Sequence, residues 1–199
     1  MEQDDATVQA ERQAWREAAA LVPSERWVFL DERAVLTNLV RTHGWSPCGE
    51  RVLGTAPCGA WERVTVLGAM SLDGILAAMS IPAATDGEVF LAYLDRVLLP
   101  ELRQVKPDAV LVMDNLAAHK TAAVRTRLEE AGVEYRYLPR YSPDLNPIEP
   151  AWAKVKGRLR KGAARTVAGI HKALGPALAA ITPQDARGFF RHAGYVCAN

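Results

Sequence analysis

Three acidic residues, Asp31, Asp114 and Glu149, stand where apolar runs end or a helix begins. Asp31 follows Trp27-Val28-Phe29-Leu30, and Asp114 follows Ala109-Val110-Leu111-Val112-Met113. Glu149 lies in Asn146-Pro147-Ile148-Glu149-Pro150. Read as buried strands, the two runs leave Asp31 and Asp114 at carboxyl ends, where open α/β sheets gather ligands. Carboxylates brought in from separate elements suit hard divalent cations such as Mg²⁺ or Mn²⁺. Two such ions, about 3.5–4 Å apart, can activate an attacking oxygen and stabilise a leaving one in phosphodiester displacement. One acid would bridge both ions and the others would each hold one. Without metal the three would repel one another, so such a site depends on cations.

Each acid also has a plainer reading. Asp31 can simply end a strand, and Asp114-Asn115 can form a turn. Glu149 can complement a helix N-terminus as a capping-box acid, with Asn146 as the cap and Pro147 in the first turn.

The elements that must position these residues follow from periodicity. Thr7 to Leu21 is rich in Ala, Glu and Arg and stops before Pro23, so it reads as a helix. Trp27 to Leu30 suits a buried strand ending at Asp31-Glu32. A loop-rich stretch with Gly44, Pro47, Gly49, Gly54, Pro57 and Gly59 comes next. Arg63 to Met70 and Ile75 to Ile81 read as two strands joined around Asp73-Gly74, a hairpin signal. Asp86 to Arg103 carries apolar residues at helical spacing. Ala109 to Met113 is a strand, Thr121 to Ala131 a helix closed by Gly132, and Val133 to Leu138 the last strand. A turn-rich loop, Pro139 to Pro147, leads to a helix with the apolar stripe Trp152, Val155 and Leu159. A final helix spans Val167 to Ile181, weakened by Gly175-Pro176. The expectation is one α/β domain over residues 1–199, with an N-terminal helix (1–25), a core (26–162) and C-terminal helices (163–199). Its mixed five-stranded sheet is flanked by helices on both faces.

Composition narrows the class further. With 49% hydrophobic and 24% charged residues in 199, the chain is an ordinary globular one. Its longest apolar runs fall short of the roughly 20 residues of a spanning helix, and the acidic N-terminus lacks a signal-peptide core. A cytoplasmic location without membrane contact is expected. Cys48, Cys58 and Cys197 fit no zinc spacing and read as reduced thiols. The net charge of +1 conceals an asymmetry. Residues 151–184 contain Lys154, Lys156, Arg158, Arg160, Lys161, Arg165 and Lys172 and no acid, whereas the first 32 residues are acidic. A one-sided basic segment suits a polyanion or a solvated helix face.

Three stretches are similar to a known family. They are Val28-Phe29-Leu30-Asp31-Glu32, Val110 to Asn115 with His119, and the twelve residues Leu138-Pro139-Arg140-Tyr141-Ser142-Pro143-Asp144-Leu145-Asn146-Pro147-Ile148-Glu149. With 34 residues between Asp114 and Glu149, the chain resembles the mariner-related transposases of bacterial insertion sequences (the six-thirty type), within the DDE superfamily. Arg41 to Pro47 and Gly49 resemble that family's segment after the first strand.

The resemblance implies a ribonuclease-H-like fold and a transposase catalytic domain, with Asp31, Asp114 and Glu149 as catalytic residues and metal ligands. It implies two Mg²⁺ or Mn²⁺ ions, metal-dependent hydrolysis of DNA phosphodiesters and strand transfer, a homodimer, and action at the nucleoid. His119 would either touch substrate phosphate or cap the following helix. Asp144 reads as a turn residue, and strand alternation sends Glu32 to the face opposite Asp31. Lys154, Arg158 and Lys161, with Arg140 and His119, are the expected DNA contacts. The family's helix-turn-helix modules do not fit in residues 1–25, so they are expected to be missing or encoded in a separate reading frame. A stand-alone nuclease of the same fold and a non-catalytic DNA-binding or assembly subunit are the rival readings.

Overall fold

The computed structural model describes residues 5–197. The chain opens with α1 (Ala6–Ala20), capped by the Asp5 carboxylate, which accepts from the Thr7 N–H. A 3₁₀ turn leads into β1 (Trp27–Leu36), followed by β2 (Arg63–Ser71) and β3 (Gly74–Ile81). Then come α2 (Gly87–Tyr93), a π-helical turn (Leu94–Leu98) and α3 (Leu99–Val105) as one continuous helix. Pro100 cannot donate to the carbonyl four residues back, and the turn ahead of it widens. The order finishes with β4 (Val110–Met113), α4 (Ala122–Glu130), β5 (Glu134–Tyr137), α5 (Ile148–Gly162), α6 (Val167–Ala179) and α7 (Pro183–His192).

The strands form one sheet in the order β3-β2-β1-β4-β5. β1, β2 and β3 pair antiparallel as a meander, and β1, β4 and β5 are parallel. The hairpin turns on Leu72-Asp73, and Gly74 opens β3 at φ 113°, a left-handed value that a Cβ would strain.

Alternation along β1 divides the core. Trp27, Phe29 and Val35 face α5, α6 and α7, while Val28 and Leu30 face α2, α3 and α4. Aromatic rings join the first layer: Phe190 of α7 meets Phe29 edge-on at 5.3 Å, and Trp15 of α1 lies 5.9 Å from Trp27.

Two boundaries differ from the sequence reading. β1 does not end at Asp31-Glu32 but runs on to Leu36, because β2 continues to pair with it. Helix α7 follows the expected last helix. Its start carries a capping box, with Thr182 and Asp185 bonding each other's backbone and Pro183 in the first turn. The segment between β1 and β2 closes through two bonds. The Thr37 N–H donates to the Glu62 carbonyl, and the Glu62 N–H donates to Thr37 Oγ1, both at 3.0 Å. Trp45 and Leu53 within it are exposed. No helix among the described residues is long and apolar enough to cross a membrane.

Candidate active site

Sheet register brings the first two acids together. β1 and β4 pair in parallel only as far as Phe29 with Val112. Two residues further on, Asp31 and Asp114 stand level where the strands part, on the sheet face that carries Phe29 and Val112. Asp31 therefore lies within a strand whose pairing on one side has ceased, not at the strand's end.

Asp31 is buried, and its Oδ2 accepts a 3.0 Å hydrogen bond from the Trp152 indole N–H. Burial, reinforced by the charges of Glu149 and Asp114, pushes its carboxyl up to about 7. The Trp152 ring reaches this position because β2 offers Gly68 opposite Asp31. A Cβ there would come within 2.6 Å of the ring.

Asp114 Oδ1 accepts from the Leu116 N–H at 3.0 Å. His119 Nδ1 lies 2.7 Å from the same oxygen. It approaches out of line for a good hydrogen bond, and neither ring nitrogen has a hydrogen-bonded partner among the described residues. His119 is fully buried against Phe90, with ring centroids 4.2 Å apart. Neither expectation for it holds. No phosphate can reach the ring in this arrangement, and Thr121, not His119, caps α4 by accepting from the Val124 N–H. What His119 does is wall in Asp114.

Glu149 sits in the first turn of α5 without capping it. Pro147 holds the cap position with no side-chain bond, and Asn146 Oδ1 is buried without a partner among the described residues. The Glu149 carboxylate instead faces Arg33 of β1, Nη1 to Oε2 at 3.2 Å. Asp31, Asp114 and Glu149 thus line one cleft of about 410 Å³ together with Arg140, Tyr141 and Asn146.

The basic residues of α5 fall on two faces. Lys154, Arg158 and Lys161 do share a face, but at about 100° per residue it points away from that of Glu149. Lys154 is engaged elsewhere, 2.6 Å from Asp185 of α7. The cations on the Glu149 face are Lys156 and Arg160, seven and eleven residues on. The Lys156 ammonium is held below its ordinary value by burial and by repulsion from Arg33 and Arg160, while Glu149 pulls the other way.

The loop before α5 is clamped by α1. Arg12 forks onto Asp144 at 2.9 and 2.5 Å and donates to Ser142 Oγ at 2.8 Å. The ion pair holds the Asp144 carboxyl below its usual range. Tyr195 donates to the Leu145 carbonyl at 2.8 Å and accepts from Trp15 Nε1. Asp144 is therefore a clamp residue and no ligand, consistent with the turn role expected of it. Arg140 pairs with Glu11 of α1 at 3.3 Å and borders the cleft. Tyr141, at φ 54°, holds a left-handed conformation uncommon for a large side chain and leaves its ring half-exposed at the cleft.

An all-oxygen donor set of three carboxylates fits a hard cation. Their mutual repulsion, which adds to burial in raising Asp31, is what such an ion would relieve. Among the described residues no group of three acids, His or Cys is already drawn around one point, so the acids share a cleft without forming a finished cage.

A family model described as a DDE superfamily endonuclease matches residues 26–168. The chain belongs to that superfamily. Among solved structures, the Mos1 transposase paired-end complex with left transposon end superposes with a TM-score of 0.75 at 20% identity, covering 94% of this chain and 58% of that one. The catalytic domain of Mos1 mariner transposase gives 0.70 at 17% identity, covering 94% and 85%. The same catalytic domain with Raltegravir and Mg gives 0.70 at 17%, covering 95% and 92%. These likenesses establish the shared fold, the mixed five-stranded ribonuclease-H-like sheet flanked by helices. A comparison with curated protein sequences gives no match.

Several residues around this cleft were not assigned to it from the sequence. Trp152 was absorbed into the apolar stripe of α5, and Gly68 carries no signal of its own. Arg33 was available from alternation, two residues beyond Asp31. Lys156 and Arg160 were available from helical spacing counted from Glu149.

Proposed function

We propose that the chain is the catalytic domain of a transposase, acting in metal-dependent hydrolysis of DNA phosphodiesters and in strand transfer. The observation that carries this reading is the convergence of Asp31, Asp114 and Glu149 on one cleft from β1, the end of β4 and the start of α5. The Mos1 structures, with their transposon end and their Mg and Mn forms, support DNA as substrate and a divalent cation as cofactor.

The three carboxylates would hold the cation, two ions in the fullest reading. When bound, it would polarise the scissile phosphate and lower the pKa of an attacking water. The chain's own residues do the rest. Trp152 keeps one Asp31 oxygen turned toward the indole and so fixes the carboxylate plane. The Leu116 N–H holds Asp114, the buried His119 ring walls it in, and the α1 clamp holds the loop from which Glu149 emerges. Burial of Asp31 keeps bulk water from that carboxylate and strengthens its interaction with the neighbouring charges.

The same reading extends to residues 1–199 as one catalytic unit of the insertion-sequence type. It includes a homodimer, action at the nucleoid, and helix-turn-helix modules supplied from outside these residues. The chain spans 58% of the Mos1 chain in the paired-end complex, which leaves room in such a protein for those modules.

The test is a nicking assay on supercoiled plasmid and labelled duplexes with Mg²⁺, Mn²⁺ or EDTA, comparing the chain with Asp31→Ala, Asp114→Ala and Glu149→Ala. Metal-dependent nicking lost in all three is the expected result, and strand-transfer products would set it apart from a plain nuclease. Activity retained by all three variants rules the proposal out.

A further inference from the structure

We propose that Arg33, with Lys156 and Arg160, forms a site for a DNA phosphate beside the third carboxylate, and that Arg33 gives up Glu149 for that phosphate when metal is loaded. The inference rests on the reading of the cleft as a metal-dependent DNA site.

The geometry begins on β1. Alternation puts Arg33 on the same sheet face as Asp31, and its guanidinium reaches Glu149 at 3.2 Å. Both side chains are partly exposed, 42% and 32%, so the pair lies at the rim of the cleft and contributes little to stability. On α5, Lys156 and Arg160 are about two and three turns beyond Glu149 on its face. Neither has an acidic partner within ion-pair distance among the described residues, whereas Lys154 has Asp185. Arg33 pairs with Glu149, Lys156 lies near both, and Arg160 lies near Lys156. Burial first, and then repulsion from Arg33 and Arg160, lowers the Lys156 ammonium.

An excess of positive charge at a cleft rim is a place for an anion. A guanidinium fits a phosphate with two parallel N–H···O bonds, a better match than its single contact with Glu149. A cation bound at Glu149 draws on the negative charge that Arg33 now neutralises through Oε2, and it repels the guanidinium as well. Loading of the acids and release of Arg33 toward phosphate are therefore one exchange. Until it occurs, Arg33 neutralises Glu149 and competes with metal.

The experiment has two readouts that do not depend on turnover. The first is Mn²⁺ titration by calorimetry without DNA, for the wild-type chain, Arg33→Gln and Asp114→Asn. The second is anisotropy of a labelled DNA duplex in Ca²⁺ across a salt series. It compares wild type with Arg33→Gln, Arg33→Lys and Lys156→Gln, and with Arg103→Gln on the far side of the sheet as control. Arg33→Gln is expected to bind Mn²⁺ several-fold more tightly and DNA about tenfold more weakly, with a salt slope reduced by about one. Arg33→Lys should retain part of the DNA affinity, and Arg103→Gln all of it. Should Arg33→Gln melt early, Arg33→Lys and Lys156→Gln carry the DNA comparison.

Unchanged or weaker Mn²⁺ binding in Arg33→Gln overturns the exchange, as does DNA affinity equal to that of the control. Those outcomes leave the loss of Mn²⁺ binding in Asp114→Asn intact. Mn²⁺ binding that Asp114→Asn does not reduce overturns the underlying reading of the cleft, and the Arg33 proposal with it.

Discussion

The indole N–H of Trp152 donates to Asp31 Oδ2, and the far edge of the same ring lies over Gly68, the residue paired with Asp31 across the sheet. A side chain on one helix thereby touches both strands that frame the first acid. Trp152→Phe keeps most of the ring and removes the donor. A buried hydrogen bond to a charged group contributes about 1.5–3 kcal/mol, and the melting temperature should fall accordingly. Gly68→Ala acts through the same ring from the other side. Its Cβ would lie 2.6 Å from Trp152 Cη2, so the ring must move and draw its N–H off Asp31. Overpacking of this kind costs about 1–3 kcal/mol. Both variants should nick DNA more slowly than wild type, and a Gly68→Ala enzyme of unchanged melting temperature and rate would contradict the arrangement.

Asp31 makes the metal-free protein sensitive to pH. Its carboxyl is raised to about 7 in the folded state, above the roughly 3.9 of an unfolded Asp. Between those values the folded chain binds more protons than the unfolded one, so stability falls as pH rises. The contribution is fully present below about pH 4, is lost through about pH 7, and amounts to something on the order of 4 kcal/mol. In EDTA, Asp31→Asn should melt above wild type at pH 8, and the gap should close toward pH 5. Scanning calorimetry at the two pH values decides the matter. A gap that widens on acidification would reverse the assigned sign.

Arg12 and Asp144 should behave as a coupled pair across the boundary of α1 and the loop. Arg12 is nearly buried, and truncating it leaves Ser142 and Asp144 without their donor. Arg12→Ala should cost about 1–3 kcal/mol, and the double variant with Asp144→Ala should cost less than the sum of the singles. Urea melts of the four proteins give the coupling. Asp144→Ala should also retain measurable nicking where Asp114→Ala retains none, which separates a clamp from a ligand.

His119 offers a contrast between positioning and binding. His119→Asn keeps a nitrogen close to the place of Nδ1, while His119→Leu removes it. The Leu variant should weaken Mn²⁺ binding more than the Asn variant does. Neither should change the affinity for a DNA duplex in Ca²⁺, because the ring is fully buried. A fall in DNA affinity in both would restore the phosphate contact.

How much of this was legible beforehand depended on whether a signal was local. The five strands, the hairpin at Asp73-Gly74 and the three acids rest on short runs, and the sequence carries them openly. The true length of β1 was hidden because its second half is held by β2, a partner more than 25 residues away. Helix α7 was announced by Thr182, Pro183 and Asp185, a signal present but passed over. That Lys156 and Arg160, and not Lys154, Arg158 and Lys161, share the face of Glu149 emerges only when helical spacing is counted from Glu149. Arg12 and Asp144 lie 132 positions apart, and no periodicity reaches that far.

The narrow join at Thr37 and Glu62 bears on how this fold can change over time. Two hydrogen bonds there finish the β1–β2 ladder before the chain departs. Lengthening or rewriting residues 38–61 therefore leaves the register of Asp31 opposite Gly68 untouched, and each doubling of a flexible loop adds only about 0.6 kcal/mol of closure entropy. Chemistry and the outer segment can consequently diversify at different rates, the first held by the ladder and the second nearly unconstrained by it.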